Sequence, residues 1–302
     1  MLVAATLVLS LQPFAGWSEG HLDWTIADGL APNSSPNILS ELEFENIRSY
    51  STGLNIELST TFIWPELKLF AEGEGIYDFI ERGSNKDTDY NGDNRTGVYS
   101  QSKSQIAGDN LLSLSGGFGL SYAVMPQRFT VAISGGGSHK EQKLNFRKGT
   151  QLIADPSFFF PVTINDLTAS LQSLDSDYAT EWQSSWVAGR ITLYYGDIAY
   201  YARYQADAGK YYGEARWNLR ANLKQPKSFT HHADSSGSQW ELGLNYFLTQ
   251  RVSMHFSWMG GEWKTDPGVD TTYFTDNSVQ VTRFNGAVWK SSHYKIGVRI
   301  DI

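Results

Sequence analysis

The 302-residue chain has a formal net charge of −8 and a sequence pI near 5.3. This charge argues against nucleic acid or an anionic membrane surface as a partner, because both need a basic face. No cysteine is present, so a disulfide framework and a thiolate metal site are excluded. The chain is 14% aromatic but only 41% hydrophobic, a balance typical of aromatic girdles and turns rather than of a thick aliphatic core.

The chain begins with an apolar run from Leu2 to Leu11, followed by Pro13 and the small residues Ala15 and Gly16. This order is typical of the apolar core and the cleavage region of a secretory signal peptide, although the usual basic start is missing. We therefore predict a truncated signal peptide over residues 1–16 and a single domain over residues 17–302. A buried strand or short core helix is the alternative for the same run.

The middle of the chain alternates apolar and polar side chains with period two, as in residues 238–249 and 251–258. Tight turns interrupt these strands at Thr249–Arg251, Trp64–Glu66, Val124–Gln127 and Gly196–Asp197. Longer polar connections separate the hairpins at about residues 29–37, 82–96, 150–177, 210–227 and 267–284. No later stretch approaches the roughly 18 apolar residues of a spanning helix, so a membrane form of this chain would be a closed barrel.

Short turns at one end and long loops at the other are typical of outer-membrane barrels. Four turns and five loops predict an all-β, ten-stranded antiparallel transmembrane barrel with short periplasmic turns and long extracellular loops. The last strand places Tyr294, Ile296, Val298 and Ile300 on one face and ends at Ile302. This ending resembles the signal read by the barrel-insertion machinery, except that an aromatic residue is usual at the last position. We expect a monomer in the bacterial outer membrane; a soluble β-sandwich would not need these features together.

If the apolar faces point to lipid, the opposite faces line the lumen. The predicted lumen-lining residues are Lys68, Glu72, Glu74, Asp78, Arg203, Asp207, Glu241, His255, Lys295 and Arg299. Ten strands enclose an interior close to the size that side chains can fill. These charges therefore either pair across a plugged interior or line a narrow polar channel.

Residues 113–146 and 182–209 resemble the strand-turn-strand units of omptins, the ten-stranded outer-membrane barrels that include surface proteases. The segments WTIAD at residues 24–28 and NILSEL at residues 37–42 also resemble a porin-like, Pom-type branch of the same superfamily. The resemblance extends from about Leu22 to Ile302. On these residues the chain is identified as a member of the omptin-like superfamily, in its non-protease branch.

The resemblance implies a site at the extracellular mouth. Omptins use an Asp-x-Asp couple and an Asp-x-His couple, which activate a water for peptide hydrolysis; Asp87 and Asp89 occupy the second long loop, where the first couple is expected. None of the six histidines follows an Asp by two residues, so the second couple is missing and the base that activates water is not identified. His231 and His232 are the candidates to replace it in the endopeptidase alternative.

The same loop, residues 85–97, allows two other interpretations. Asp87, Asp89, Asn91 and Asp93 have the spacing of calcium ligands, but Val98 stands where a complete EF-hand needs a bidentate Glu. A looser calcium site is one alternative, and a polar loop tip is the other. We expect no required cofactor.

The third long loop carries Phe158, Phe159 and Phe160, followed by apolar residues at helical spacing from Ile164 and a cap at Thr163 or Asn165. This segment is either an adhesive patch or a short helix with buried aromatics. Basic rim residues would suit lipopolysaccharide phosphates, so outer-membrane lipid and lipopolysaccharide are the expected partners. The leading functional hypothesis is a surface-binding or weakly porin-like barrel.

Overall fold

The computed structural model describes residues 7–61, 64–106 and 108–302. Its strands are β1 (Leu7–Ile26), β2 (Ser40–Thr61), β3 (Leu67–Tyr90), β4 (Val98–Ile106), β5 (Asn110–Met125), β6 (Phe129–Ala154), β7 (Asp175–Tyr195), β8 (Ile198–Arg216), β9 (Phe229–Phe247), β10 (Val252–Thr265), β11 (Gly268–Tyr273) and β12 (Val279–Asp301). Two short helices, α1 (Pro156–Phe159) and α2 (Ile164–Leu171), lie between β6 and β7. Neither these nor any other helix of the described residues has the length and apolar character to span a membrane.

All strand pairs are antiparallel, and β1 pairs with both β2 and β12, which closes the sheet into a barrel. β4 and β5 share one position, because both lie between β3 and β6. β10 and β11 likewise share the position between β9 and β12. The ring therefore has ten strand positions, as predicted.

The four tight turns lie where the alternation predicts them. The last four loops are shorter than predicted, because the strands continue beyond the membrane-facing part of the barrel, whereas the first loop is slightly longer. They span residues 27–39, 91–97, 155–174, 217–228 and 274–278. In the third loop, α2 begins after Thr163, whose hydroxyl accepts from the backbone of Asp166 in a capping box.

The outward face is apolar from the turns up to a row of aromatic side chains. Register places Trp258, Tyr294, Trp17 and Tyr50 side by side across β10, β12, β1 and β2. From Tyr294 to Ile302 the outward residues alternate over a length close to the 9–11 residues of a transmembrane strand. This row marks the upper boundary of the membrane-facing band.

Above this row the apolar pattern changes face, and we call this part of the barrel the head. On β12, Trp289 and Ala287 point inward and are buried, whereas Lys290 points outward and is exposed. Every strand position contributes inward apolar side chains here, and they pack into one core. Its members are Leu22, Trp24, Leu42, Phe44, Ile47, Ile80, Ile106, Leu111, Leu144, Phe146, Tyr178, Trp182, Tyr211, Ala215, Phe229, Trp263, Phe284, Ala287 and Trp289.

The structure places Leu7–Gly16 in β1, where the sequence pattern predicted a signal peptide. Ser10, Leu11 and residues 14–16 pair with β12 as well as β2, so this segment completes the closure of the barrel. The outward side chains of this segment are apolar, whereas Ser10 and Gln12 are buried inside the barrel. The apolar run in the sequence is therefore that of a strand whose outer face meets lipid. The predicted domain boundary at residue 17 falls within β1, and residues 1–6 lie outside the described residues.

Candidate functional site

Asp87 and Asp89 lie on the inward face at the loop end of the head. Both belong to β3 rather than to the predicted loop, and register pairs Asp87 with Leu42 and Asp89 with Ser40 on β2. Directly paired residues of an antiparallel sheet share a face, and Leu42 belongs to the buried core. The two carboxylates therefore point into the mouth, above the aromatic core and outside the membrane-facing band.

Burial and mutual repulsion shift both acids toward their neutral forms. Burial, and then the charge of Asp89, raise the pKa of Asp87 to about 8, against the opposing effects of Arg220 and of the Ser40 hydroxyl. Burial also raises the pKa of Asp89, while the Ser40 hydroxyl, Arg220 and the Ser100 hydroxyl oppose the shift. The Oδ1 atom of Asp87 is buried without a hydrogen-bond partner among the described residues. The pair therefore holds a proton near neutral pH.

The two candidate histidines lie on opposite faces of β9. His231 is fully buried in the head, where its Nδ1 lies 2.7 Å from the hydroxyl of Tyr178. His232 points outward and its ring packs 4.8 Å from that of Tyr212. Among the described residues, no hydrogen bond or ion pair joins either histidine to Asp87 or Asp89. The four candidate catalytic residues are therefore not joined by direct contacts, and the endopeptidase site stays a prediction.

His231 instead belongs to a buried network that the sequence did not reveal. Its Nε2 lies 3.2 Å from Oδ1 of Asp270, at an angle outside that of a good hydrogen bond. The Thr282 hydroxyl donates to the other oxygen of Asp270 at 2.8 Å, and the hydroxyls of Tyr178 and Tyr211 lie 2.5 Å apart. Burial lowers the pKa of His231, so the imidazole is neutral near pH 7. The network is a polar connection within an aromatic core and is closed to substrate.

The inward residues at the loop end of β8 supply no second couple. Gly213 and Ala215 occupy these positions and are buried. Neither can act as an acid or a base. Arg220, from the loop after β8, is the cation whose charge opposes the rise in the pKa values of Asp87 and Asp89.

The four candidate calcium ligands have separate environments. Asp87 and Asp89 face the mouth, whereas Oδ1 of Asp93 accepts the backbone N–H of Asn37 at 2.8 Å and so joins the first and second loops. No group of three or more metal-binding side chains occurs within the described part of the chain. The calcium site over residues 85–97, including Asn91, stays a prediction.

The family model described as Protochlamydia outer membrane protein matches residues 13–302. The chain belongs to the Protochlamydia outer membrane protein family. The match includes residues 13–16 of the predicted signal peptide and the whole of the mouth. Membership in this family, together with the barrel, locates the protein in the bacterial outer membrane.

One solved structure supports the barrel at the level of the fold. The outer membrane protease OmpT from Escherichia coli has a TM-score of 0.72 at 10% identity, over 98% of this chain and 97% of that chain. The outer membrane protein OprG from Pseudomonas aeruginosa has a TM-score of 0.33 at 10% identity, over 97% and 95% of the two chains. No match is found among curated proteins.

In this member of the Protochlamydia outer membrane protein family, the lower barrel has a charged interior. The structure places all ten predicted lumen residues on the inward face. Lys295, whose side chain is fully buried, lies 2.6 Å from Glu74, and Arg203 lies 3.3 Å from Glu72. Five further charged residues, which were not predicted, join this lining: Glu57, Glu66, Lys140, Arg190 and Asp301.

A polar cavity of about 650 Å³ occupies this lower interior. Its lining includes the turn residues Pro65, Gln127 and Gly196 at one end and Trp186 and Lys140 toward the head. The Nζ atom of Lys140 lies 3.1 Å from the ring centroid of Trp263, a core residue of the head. The cavity therefore ends where the aromatic core begins.

The third loop of this family member exposes an apolar patch at the loop end of the head. Phe160 is 85% exposed and Phe158 is 53% exposed, and Val162 and Ile164 are exposed beside them. We call these four residues the loop patch. The alternative of a helix with buried aromatics is wrong, because neither α1 nor α2 has a buried residue. Tyr99 stacks on Phe158 at 4.5 Å.

Proposed function

We propose that this outer-membrane barrel acts by binding a partner at the cell surface, and that the loop patch is its main contact. The observation that carries this proposal is the exposure of Phe158 and Phe160 at the extracellular end of a barrel whose head is otherwise packed. Exposed aromatic clusters on a polar surface mark interaction sites. Burying them against a partner would recover the hydrophobic free energy that their exposure forfeits.

The mouth carboxylates add charge to the same surface. Tyr99 connects the two parts, since it stacks on Phe158, and since burial, and then the nearby charge of Asp89, raise the pKa of Tyr99. The matching partner presents apolar side chains together with a basic one, because Asp87 and Asp89 would then face a cation.

Peptide binding tests this proposal. The probe is a fluorescent peptide with alternating leucine, phenylalanine and arginine, and fluorescence anisotropy measures its binding to the barrel in phosphatidylcholine nanodiscs. Phe160→Ser should weaken binding about fivefold or more, the equivalent of about 1 kcal/mol of lost burial. Val281→Ser is the matched control, since Val281 is an exposed apolar residue of the head outside the patch.

A second peptide, in which glutamate replaces arginine, tests whether the mouth carboxylates contribute to binding. It should bind more weakly to the wild type, and Asp89→Asn should reduce the difference between the two peptides. Equal binding of the wild type, Phe160→Ser and Val281→Ser would contradict the surface-binding proposal.

The polar cavity favours a second candidate, weak passage of small polar solutes. It supplies a charged interior of both signs over the membrane-facing part of the barrel. The packed aromatic head argues against it, because a solute would have to displace side chains from every strand position. Conductance measurements separate the two candidates.

The endopeptidase alternative has weaker support. Asp87 and Asp89 form a close acid pair of the kind used in general acid-base chemistry, but within the described part of the chain no histidine contacts them directly. Cleavage of a fluorogenic peptide that is lost in Asp87→Ala and in Asp89→Ala would favour it over surface binding.

A further inference from the structure

A trough lies on the outer surface of the barrel, just above the aromatic row that bounds the membrane-facing band. Register aligns Trp240, Gly260, Ser292, Glu19 and Arg48 in one row across β9, β10, β12, β1 and β2. The row below it is the aromatic boundary itself. We call this depression the interfacial trough.

Small residues give the trough its depth, and indole rings form its sides. Gly260 and Ser292 lie between the larger side chains, and the cavity above them has a volume of about 670 Å³. The ring of Trp258 leans over Gly260, so that a Cβ at Gly260 would lie 2.5 Å from its Cζ2 atom. Trp240 stands at the opposite side of Gly260 and is 51% exposed. The trough therefore presents two indole rings, with that of Trp258 covering Gly260, next to the small side chain of Ser292.

Charged side chains form the upper wall and one end of the trough, and they are already paired. Glu262 lies 3.3 Å from Lys290, and Glu19 lies 3.2 Å from Arg48, with all four side chains about half exposed. Glu45 also lines the trough, so three carboxylates face one lysine and one arginine. His21, the remaining titratable residue of the lining, is paired with Asp23 at 3.1 Å. The three carboxylates would repel an anionic phosphate. Hydroxyl groups, in contrast, can both donate to carboxylates and accept from cations.

We propose that the interfacial trough binds the saccharide head group of an uncharged outer-leaflet glycolipid. The position of the trough fixes this occupant, because the head groups of the outer leaflet lie directly above the aromatic boundary. Acyl chains extend down the apolar outer face of β10 and β12. The sugar packs on Trp240 and Trp258 and hydrogen-bonds the paired charges of the wall.

Native mass spectrometry of the barrel tests this assignment. The protein is reconstituted in phosphatidylcholine nanodiscs that contain either digalactosyldiacylglycerol or phosphatidylglycerol as a minor lipid. The wild type should retain the galactolipid at least about fivefold better than the phosphatidylglycerol, the ratio that a contact free energy near 1 kcal/mol produces. Trp258→Ala and Trp240→Ala should each lose this preference.

Two further variants provide a control outside the trough and an independent test of the trough itself. Tyr50→Ala removes an aromatic side chain of the boundary row outside the trough, and it should retain the preference. Ser292→Trp fills the trough at a half-buried surface position, and it should lose the preference even if Trp258→Ala fails to fold. Equal galactolipid retention by the wild type and Ser292→Trp, or better retention of phosphatidylglycerol by the wild type, would overturn the assignment.

Discussion

The substitution Asp87→Asn should stabilise the protein at neutral pH and leave it unchanged in acid. An unfolded chain releases the aspartate proton near pH 4, whereas burial and the charge of Asp89 raise the pKa of Asp87 to about 8 in the folded head. Between these values the folded state binds more protons than the unfolded state, so stability falls as the pH rises. Below pH 4 both states are protonated and the effect vanishes.

The size of the effect follows from the pKa interval. One pKa unit corresponds to about 1.4 kcal/mol, and Asp89 carries part of the cost because the two carboxyls share one site. We therefore expect Asp87→Asn to be about 2 kcal/mol more stable than the wild type at pH 7.5. Asparagine keeps the shape of the side chain and adds an N–H donor, so packing in the mouth is preserved.

Urea unfolding of the barrel in phosphatidylcholine vesicles, followed by the mobility shift between folded and unfolded forms on SDS gels, measures this difference. Asp234→Asn is the control, because Asp234 is an exposed carboxylate of the head, and it should change stability by less than about 0.5 kcal/mol at either pH. A destabilised Asp87→Asn at pH 7.5, or the same stability difference at pH 4 and pH 7.5, would refute the reasoning.

Three further predictions concern the buried polar groups and the calcium hypothesis. Tyr178→Phe should destabilise the head by about 1–3 kcal/mol, because it leaves Nδ1 of the buried His231 without its partner; urea unfolding measures this, and an unchanged midpoint would contradict it. Glu74→Gln should cost about 3 kcal/mol by leaving the buried Lys295 charge poorly paired, and adding Lys295→Met should recover most of that loss. If calcium binds residues 85–97, millimolar calcium should raise the thermal midpoint of the wild type but not of Asp93→Asn; equal midpoints with and without calcium would remove the hypothesis.

The strand order and the inward face of the lower barrel were predictable because period-two alternation is clear where one face meets lipid. The head was harder to predict. On β3 the residues around Asp87 are polar on both faces, with Lys86 and Thr88 outward, so the segment has no apolar period and was interpreted as a loop. On β12 the apolar side chains change face between Trp289 and Tyr294, and this change of phase was the available signal for a head with its own core.

Other features could not be predicted from local sequence. His231 and Asp270 are brought together by the pairing of β9 with β11, and no spacing motif relates two residues so far apart in the chain. The apolar start of β1 has the composition of a signal peptide as well as that of a lipid-facing strand, and only its pairing with β12 separates the two. The exposure of the loop patch depends on how α1 and α2 lie against the head, which the spacing of their apolar residues does not specify.

Single-channel recording in planar bilayers tests the central claim, which is that the packed head makes this barrel a surface-binding protein and not a channel. Folded wild-type protein should insert without producing stepwise currents in salt solution. A Trp182→Ala and Tyr211→Ala double variant, which removes two large rings from the core of the head, is the matched comparison and should show more frequent current events. Stable, uniform current steps from the wild type would contradict the claim and favour the porin-like candidate.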